Sequence, residues 1–361
     1  MITGSIEACA AWINDEGGVT MADGKARDIS LLAYDDGYDP AKTVENARRL
    51  IEEDQVAAMW AVLGTPTNTA IYDYTNDEEV PNLFLATGAS QWGVGTLVDH
   101  PWTIGWQPAY STEAAIYATY LEENHPGATV AILMQNDDYG KDYVNAFKAA
   151  IEGTDIEIVA EATYETTDPT VDQQVTDLAS SGADVFFNVT TPKFAAQAIA
   201  KVAEVSWEPI HLLNSVSASI GGVLTPAGLD NAEGIITAQY YKDPTASMWD
   251  DDEGMMSYNE LVGQYGPDLD TDDTFVLFGW AQCLSMKHVL ENAQPTREGL
   301  MEAVHNLDGV ENNLLLPGIT LTTGPEDGFP IESMQVVQFT DGAFENVGDV
   351  VSYEGETPTE G

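Results

Sequence analysis

Basic residues are scarce in this chain: 12 Lys and Arg stand against 60 Asp and Glu over 361 residues, a formal charge of −48. A surface this negative repels polyphosphate and anionic headgroups, which excludes nucleic acid and acidic membranes as partners. Cysteine is scarcer still. Cys9 and Cys283 are too few for a disulfide framework or a metal cluster, and both are expected to be buried small hydrophobes. No run approaches 18 uncharged apolar residues, so nothing reads as a membrane span. Signatures of catalysis are missing too: there is no Gly-x-Ser-x-Gly elbow, Walker loop, His-Glu-x-x-His or Cys-x-x-Cys. Gly93-Val94-Gly95 lacks the third glycine of a dinucleotide loop and is expected to be an ordinary loop. His100, His125, His211, His288 and His305 are scattered and read as surface or satisfied core residues. No cofactor and no metal is expected.

What the chain does have is a core. Hydrophobic residues make up 44% of it and 33 residues are Phe, Trp or Tyr, enough to overcome the disorder that such charge would otherwise bring. Abundant acid with little lysine suits salty water, where the Debye length falls to about 3 Å at 1 M and self-repulsion is screened. This composition speaks of habitat rather than activity.

Apolar spacing predicts a first helix through Ile6, Cys9, Ala10, Trp12 and Ile13, ending at Asn14-Asp15-Glu16-Gly17-Gly18. Ile29 to Tyr34 reads as a buried strand, followed by a helix from Pro40 to about Glu53. Val56 to Leu63 and Leu83 to Ala86 read as further strands around a helix opened by Gly64-Thr65-Pro66-Thr67. A second series follows Trp106: a helix over 112–124, a strand over 130–134, the loop Asn136 to Gly140 with a helix to Ile151, and strands at 156–160, 185–189 and 210–213. Such alternation means βαβ units and parallel sheets with helices on both faces. Helices are expected over 255–265, 274–291 and 296–305, a hairpin around Asp341-Gly342, and a frayed acidic tail from about Glu354.

Ligands of open α/β sheets bind at the carboxyl ends of the strands. Gly64, Thr65 and Thr67 place hydroxyls and amides at a helix start, which attracts a carboxylate, and Thr87-Gly88-Ala89-Ser90 adds a neighbouring turn of small residues. Asp137 and Asp138 could do acid–base work; the run Asp250 to Asp252 reads as a solvated helix start.

Asn14 to Gly18, Asp35-Asp36-Gly37-Tyr38, Leu63 to Asn68, Ala86 to Ser90, Gln135 to Lys141 and Leu213 to Ser217 together resemble the type I periplasmic binding proteins of ABC importers, in particular the branched-chain amino-acid group and its relatives for aromatic or other small organic acids. The resemblance runs essentially from end to end. It implies two Rossmann-like parallel-sheet lobes joined by three crossover strands, with residues 1–106 and 241–318 in lobe one and 107–240 and 319–361 in lobe two. Gly64, Thr65, Thr67, Thr87, Gly88, Ala89 and Ser90 resemble the first-lobe pocket for a ligand carboxylate, and Tyr139 the second-lobe residue that closes over it. Thr190 and Thr191 end a strand where the family brings another side chain, with Ser215 and Val216 in the next turn. Phe278 and Trp280 fall where an aromatic commonly lines the pocket, although helix core would explain them equally.

Two departures matter. Amino-acid binders usually carry an acidic residue about where Val216 stands, so a carboxylate without the amine is as good a ligand here unless Asp137 or Asp138 supplies the charge. The family also opens with a signal peptide and a central first strand; neither is present in this sequence, so the expectation is a reading frame starting upstream of Met1 and a gap in the first lobe. The reading is therefore an extracytoplasmic, non-catalytic, monomeric solute-binding protein that delivers a small carboxylate to a membrane permease by hinge closure. The same fold as the sensing domain of a receptor or regulator, and a cleft enzyme using Asp137 or Asp138 as base, are the alternatives.

Overall fold

The computed structural model describes residues 1–359. The chain divides into two compact units, Met1–Ala109 with Ser247–Glu332, and Tyr110–Ala246 with Ser333 onward.

Unit 1 begins with α1 (Ile2–Asp15), which buries Ile6, Cys9, Ala10 and Ile13 at the spacing its sequence sets. Asp39 caps α2 (Pro40–Arg48), accepting from the Ala41 amide, with Pro40 at the first helical position; a π-helical turn carries the chain to Glu53. β1 (Met59–Trp60), α3 (Thr65–Asp77), β2 (Asn82–Leu85), α4 (Gln91–Thr96) and β3 (Thr103–Gly105) follow. The three strands pair in parallel in the order β1-β2-β3.

Two sequence expectations fail in this unit. Ile29 to Tyr34 forms no strand, and the strand expected over Val56 to Leu63 shrinks to Met59 and Trp60 plus one bridge from Leu63 to Ala86. A strand needs a neighbour to take its backbone hydrogen bonds. Here the free edge of β1 faces a groove of about 1260 Å³ lined by Ile6, Leu31, Ala33, Ala47, Trp60, Val62 and Met286, and the 29–34 run lies along it unpaired. Leu32 and Leu63 stay about half exposed. Gly93 and Gly95 are helical, in α4, rather than in a loop: a Cβ would stand 2.3 Å from the Phe329 ring at Gly93 and 2.0 Å from the Tyr72 hydroxyl at Gly95, so glycine lets those rings pack against the helix.

Unit 2 starts with α5 (Tyr110–Asn124) and continues β4 (Thr129–Gln135), α6 (Asp138–Ala150), β5 (Glu157–Tyr164), α7 (Asp172–Ala179), β6 (Val185–Val189), α8 (Pro192–Glu204), β7 (Ile210–Leu213) and β8 (Ile236–Gln239). The chain then adds α9 (Glu253–Tyr265), α10 (Thr274–Asn292) and α11 (Arg297–Val304) to unit 1. It returns to unit 2 as the hairpin β9 (Ser333–Thr340) and β10 (Ala343–Ser352). The unit 2 sheet runs β10-β9-β8-β7-β6-β4-β5, parallel from β8 to β5 and antiparallel where the hairpin joins. Asp341 and Gly342 form the turn with positive φ at both, the geometry that matches the strand twist. Val185 to Val189 is buried throughout, as expected of a strand covered on both faces.

Cys9 and Cys283 do not pack as separate thiols: they form a disulfide linking α1 to α10. Sequence spacing could not show this, because 274 residues separate them. The tail is also better held than its composition suggests. Thr357 is buried and shares a hydrogen bond with Thr112; the fraying expected at 360 and 361 lies outside the described residues.

Candidate functional site

In unit 1 the turns after β1 and β2 come together. Gly64 holds φ at +96°, and a Cβ there would fall 2.2 Å from Tyr38, so this turn requires glycine. The turn delivers Thr65 to the start of α3, where its Oγ1 lies 2.6 Å from Oγ1 of Thr87. Thr87 Oγ1 also lies 3.4 Å from the indole N–H of Trp92. Thr67 turns inward, its hydroxyl within donating reach of the carbonyls of Leu63 and Gly64, so it fixes the turn rather than presenting a hydroxyl. Gly88, Ala89 and Ser90 are buried beside them. Within unit 1 a cavity of about 10 Å³, about one water, lies among Thr87, Gly88, Trp92 and Phe329.

Phe278 sits edge-on to Trp106 at 5.2 Å, on the side of α10 near the end of β3. Trp280 lies two residues on, so helical geometry points it elsewhere. It stacks on Trp12 at 6.0 Å and meets Tyr258 edge-on, which makes it core between α1, α9 and α10 rather than a partner of Phe278.

In unit 2, Asp137 caps α6, accepting from the amides of Tyr139 and Gly140, and Gln135 donates to its other oxygen at 2.5 Å. Burial raises its pKa against those stabilising bonds. The cap role occupies the carboxylate that the sequence offers as base or counter-charge. Tyr139 is buried, with its hydroxyl 3.3 Å from the Thr190 carbonyl and bonded to the Asn214 amide; its ring meets Tyr110 and Tyr143 edge-on. Thr190 is wholly buried and donates to Asn188 Oδ1, whereas Thr191 is half-buried and its backbone N–H donates to the Tyr164 hydroxyl at 2.9 Å. Val216 is half-buried in the turn after β7.

The residue that sequence reasoning missed is Glu113, in the first turn of α5. It is fully buried and gathers Tyr117, Tyr143 and both the amide and hydroxyl of Ser215 around its carboxyl group. Its one legible signal was an acid immediately before the apolar run Ala114 to Ala118, with Tyr117 four residues on. Its remaining partners are remote in sequence. Burial pushes its pKa up.

Two α/β units assembled from interleaved chain segments, with short polar turns at the strand ends, form an architecture matching the type I periplasmic binding proteins. The chain belongs to the periplasmic binding protein family, which it matches over residues 3–343. No curated protein matches it. Among solved structures it is similar to an ABC transporter substrate-binding protein from Aeropyrum pernix (TM-score 0.85, 16% identity, 97% of this chain and 91% of that one). It is similar also to a branched-chain amino-acid ABC transporter protein from Thermus thermophilus with bound valine (0.83, 14%, 97% and 91%). A fatty acid ABC transporter substrate-binding protein from Thermomonospora curvata shares the fold as well (0.80, 19%, 99% and 90%).

Proposed function

We propose that this protein is the solute-binding component of an ABC importer and captures a small carboxylate by closure of its two units. The observation that carries this reading is the unit 1 turn pair: the α3 N-terminus, with the positive end of its dipole and no side-chain cap, stands beside the Thr65–Thr87 hydroxyl pair. In a protein of charge −48 an anion is drawn in only by such local donors. Phe278 beside Trp106 supplies an apolar contact for the rest of the ligand.

Val216 carries no charge and Asp137 is engaged as a helix cap, which leaves exposed Asp138 as the remaining acid of this loop for an ammonium group and favours an acid without an α-amine over a simple amino acid. The two relatives described with valine and with a fatty acid bracket these possibilities. Binding shifts an equilibrium between open and closed arrangements through the ligand's higher affinity for the closed one. A monomer working outside the cytoplasm and docking on a permease fits this role, and the Cys9–Cys283 disulfide suits an oxidising compartment. No helix among the described residues is long and apolar enough to cross a membrane.

A thermal-shift panel of L-valine, L-phenylalanine, benzoate and octanoate tests the reading. A true ligand at 100 times its Kd adds about 2.7 kcal/mol, and it should be recovered chemically unchanged. If none of the four moves the transition, the carboxylate reading fails; if one is converted, the enzyme alternative takes its place.

A further inference from the structure

The Glu113 cluster contains more oxygen contacts than ordinary protons to fill them. Glu113 Oε1 lies 2.7 Å from the Tyr117 hydroxyl and 2.7 Å from the Ser215 amide; Oε2 lies 2.8 Å from the Tyr143 hydroxyl and 2.5 Å from the Ser215 hydroxyl. The Tyr117 hydroxyl is also 2.8 Å from the Leu213 carbonyl; a longer contact of 3.4 Å to the Thr237 hydroxyl brings its own proton and stands outside the count of short ones. The short contacts are five. Their donors, the two tyrosine hydroxyls and the amide and hydroxyl of Ser215, hold four protons. Tyr117 stands between a carboxylate oxygen and a carbonyl oxygen, both at full hydrogen-bond distance, and its single proton can lie along only one of the two contacts. With an ionised carboxylate, one of these short contacts would set lone pair against lone pair in a site closed to water.

We propose that Glu113 is held as a neutral carboxylic acid, donating its proton to Tyr117, and that it is a positioning residue fixing Ser215 and the turn after β7. The surroundings agree. From α5 the carboxyl faces Tyr117, from α6 Tyr143, from the turn after β7 Ser215, and beyond β8 Tyr240; no basic side chain bonds to it among the described residues. Desolvation pushes its pKa up for the same reason. The cluster reaches the candidate site through two shared groups. The Ser215 amide leads directly into the 214–217 turn, and Tyr143 packs against Tyr139 and Tyr110. That this turn contacts a ligand rests on the function proposed above; the protonation state and the anchoring of the turn do not.

Infrared difference spectra between wild type and Glu113→Gln at pH 7 should show a protonated carboxyl C=O band that shifts in D₂O. Its absence overturns the neutral-acid assignment. Hydrogen exchange at the Ser215 amide should be slow in wild type and in Glu113→Gln, whose amide can accept from Ser215 N–H and donate to Tyr143, and at least tenfold faster in Glu113→Ala. Equal protection in Glu113→Ala overturns the positioning role. If Glu113→Ala does not fold, Glu113→Leu, which keeps most of the volume and removes the acceptor, takes its place: protection of the Ser215 amide equal to wild type overturns the positioning role. In titrations with L-valine and octanoate, whichever binds wild type should bind Glu113→Gln with similar affinity and Glu113→Ala about tenfold more weakly, about 1.4 kcal/mol. Should neither bind wild type, the proposed function fails while the infrared and exchange results still decide the state and role of Glu113.

Discussion

Gly64 shows how a single residue sets the candidate site. Its left-handed backbone and the Tyr38 ring 2.2 Å from where a Cβ would lie leave no room for a side chain. Gly64→Ala should cost about 1–3 kcal/mol through strain and displacement of Tyr38. Chemical denaturation would read this, and the same change should weaken ligand binding by moving Thr65. His211 makes a different residue-scale prediction. Burial pushes its pKa down to about 3, and its Nε2 faces the Asn188 amide. The folded protein therefore keeps this imidazole neutral, whereas the unfolded chain takes up a proton below about 6.5. Stability contributed by the neutral ring is complete above that value and is lost progressively as pH falls toward 3. Between pH 6 and 4 the stability of wild type should fall more steeply than that of His211→Gln by about 1.4 kcal/mol per pH unit, measured by urea denaturation at each pH. Glu113 has the opposite sign: its raised pKa leaves stability complete below about 4.5 and diminished as pH rises through its folded value.

Elements in this chain form where their partners exist. The central parallel strands of unit 2 are legible from apolar runs because they are buried on both faces, and β6 and β7 fall where the sequence places them. The Ile29–Tyr34 run has equal apolar character and fails to become a strand because the edge of β1 lies across an open groove. Strand formation is a property of a pair, and a single run cannot reveal whether its pair is present. The groove is apolar enough to bind an environment-sensitive dye such as ANS in the folded state, and Leu31→Asp should reduce that fluorescence without changing the unit 2 sheet. The link between α1 and α10 is likewise decided across elements. Reducing the Cys9–Cys283 disulfide, or replacing both residues with alanine, should lower stability by about 2–5 kcal/mol. Equal melting temperatures with and without reductant would contradict this.

For the whole molecule, the charge of −48 is the dominant long-range term. Raising NaCl from about 0.1 to 1 M shortens the Debye length from about 10 to 3 Å, and the melting temperature should rise steadily over that range. A flat profile would mean that self-repulsion costs this fold little.

The sequence by itself determined the fold class, the order of most helices and strands, and the turns at Gly64 to Thr67 and Thr87 to Ser90, because these follow from local periodicity, capping and glycine placement. Tertiary structure alone decided the rest: that Cys9 meets Cys283, that Trp280 belongs to the core while Phe278 faces Trp106, that Thr67 is spent on its own turn, and that Glu113 anchors Ser215 from 102 residues away. Each depends on which distant side chain arrives opposite, and spacing along a chain carries no record of that.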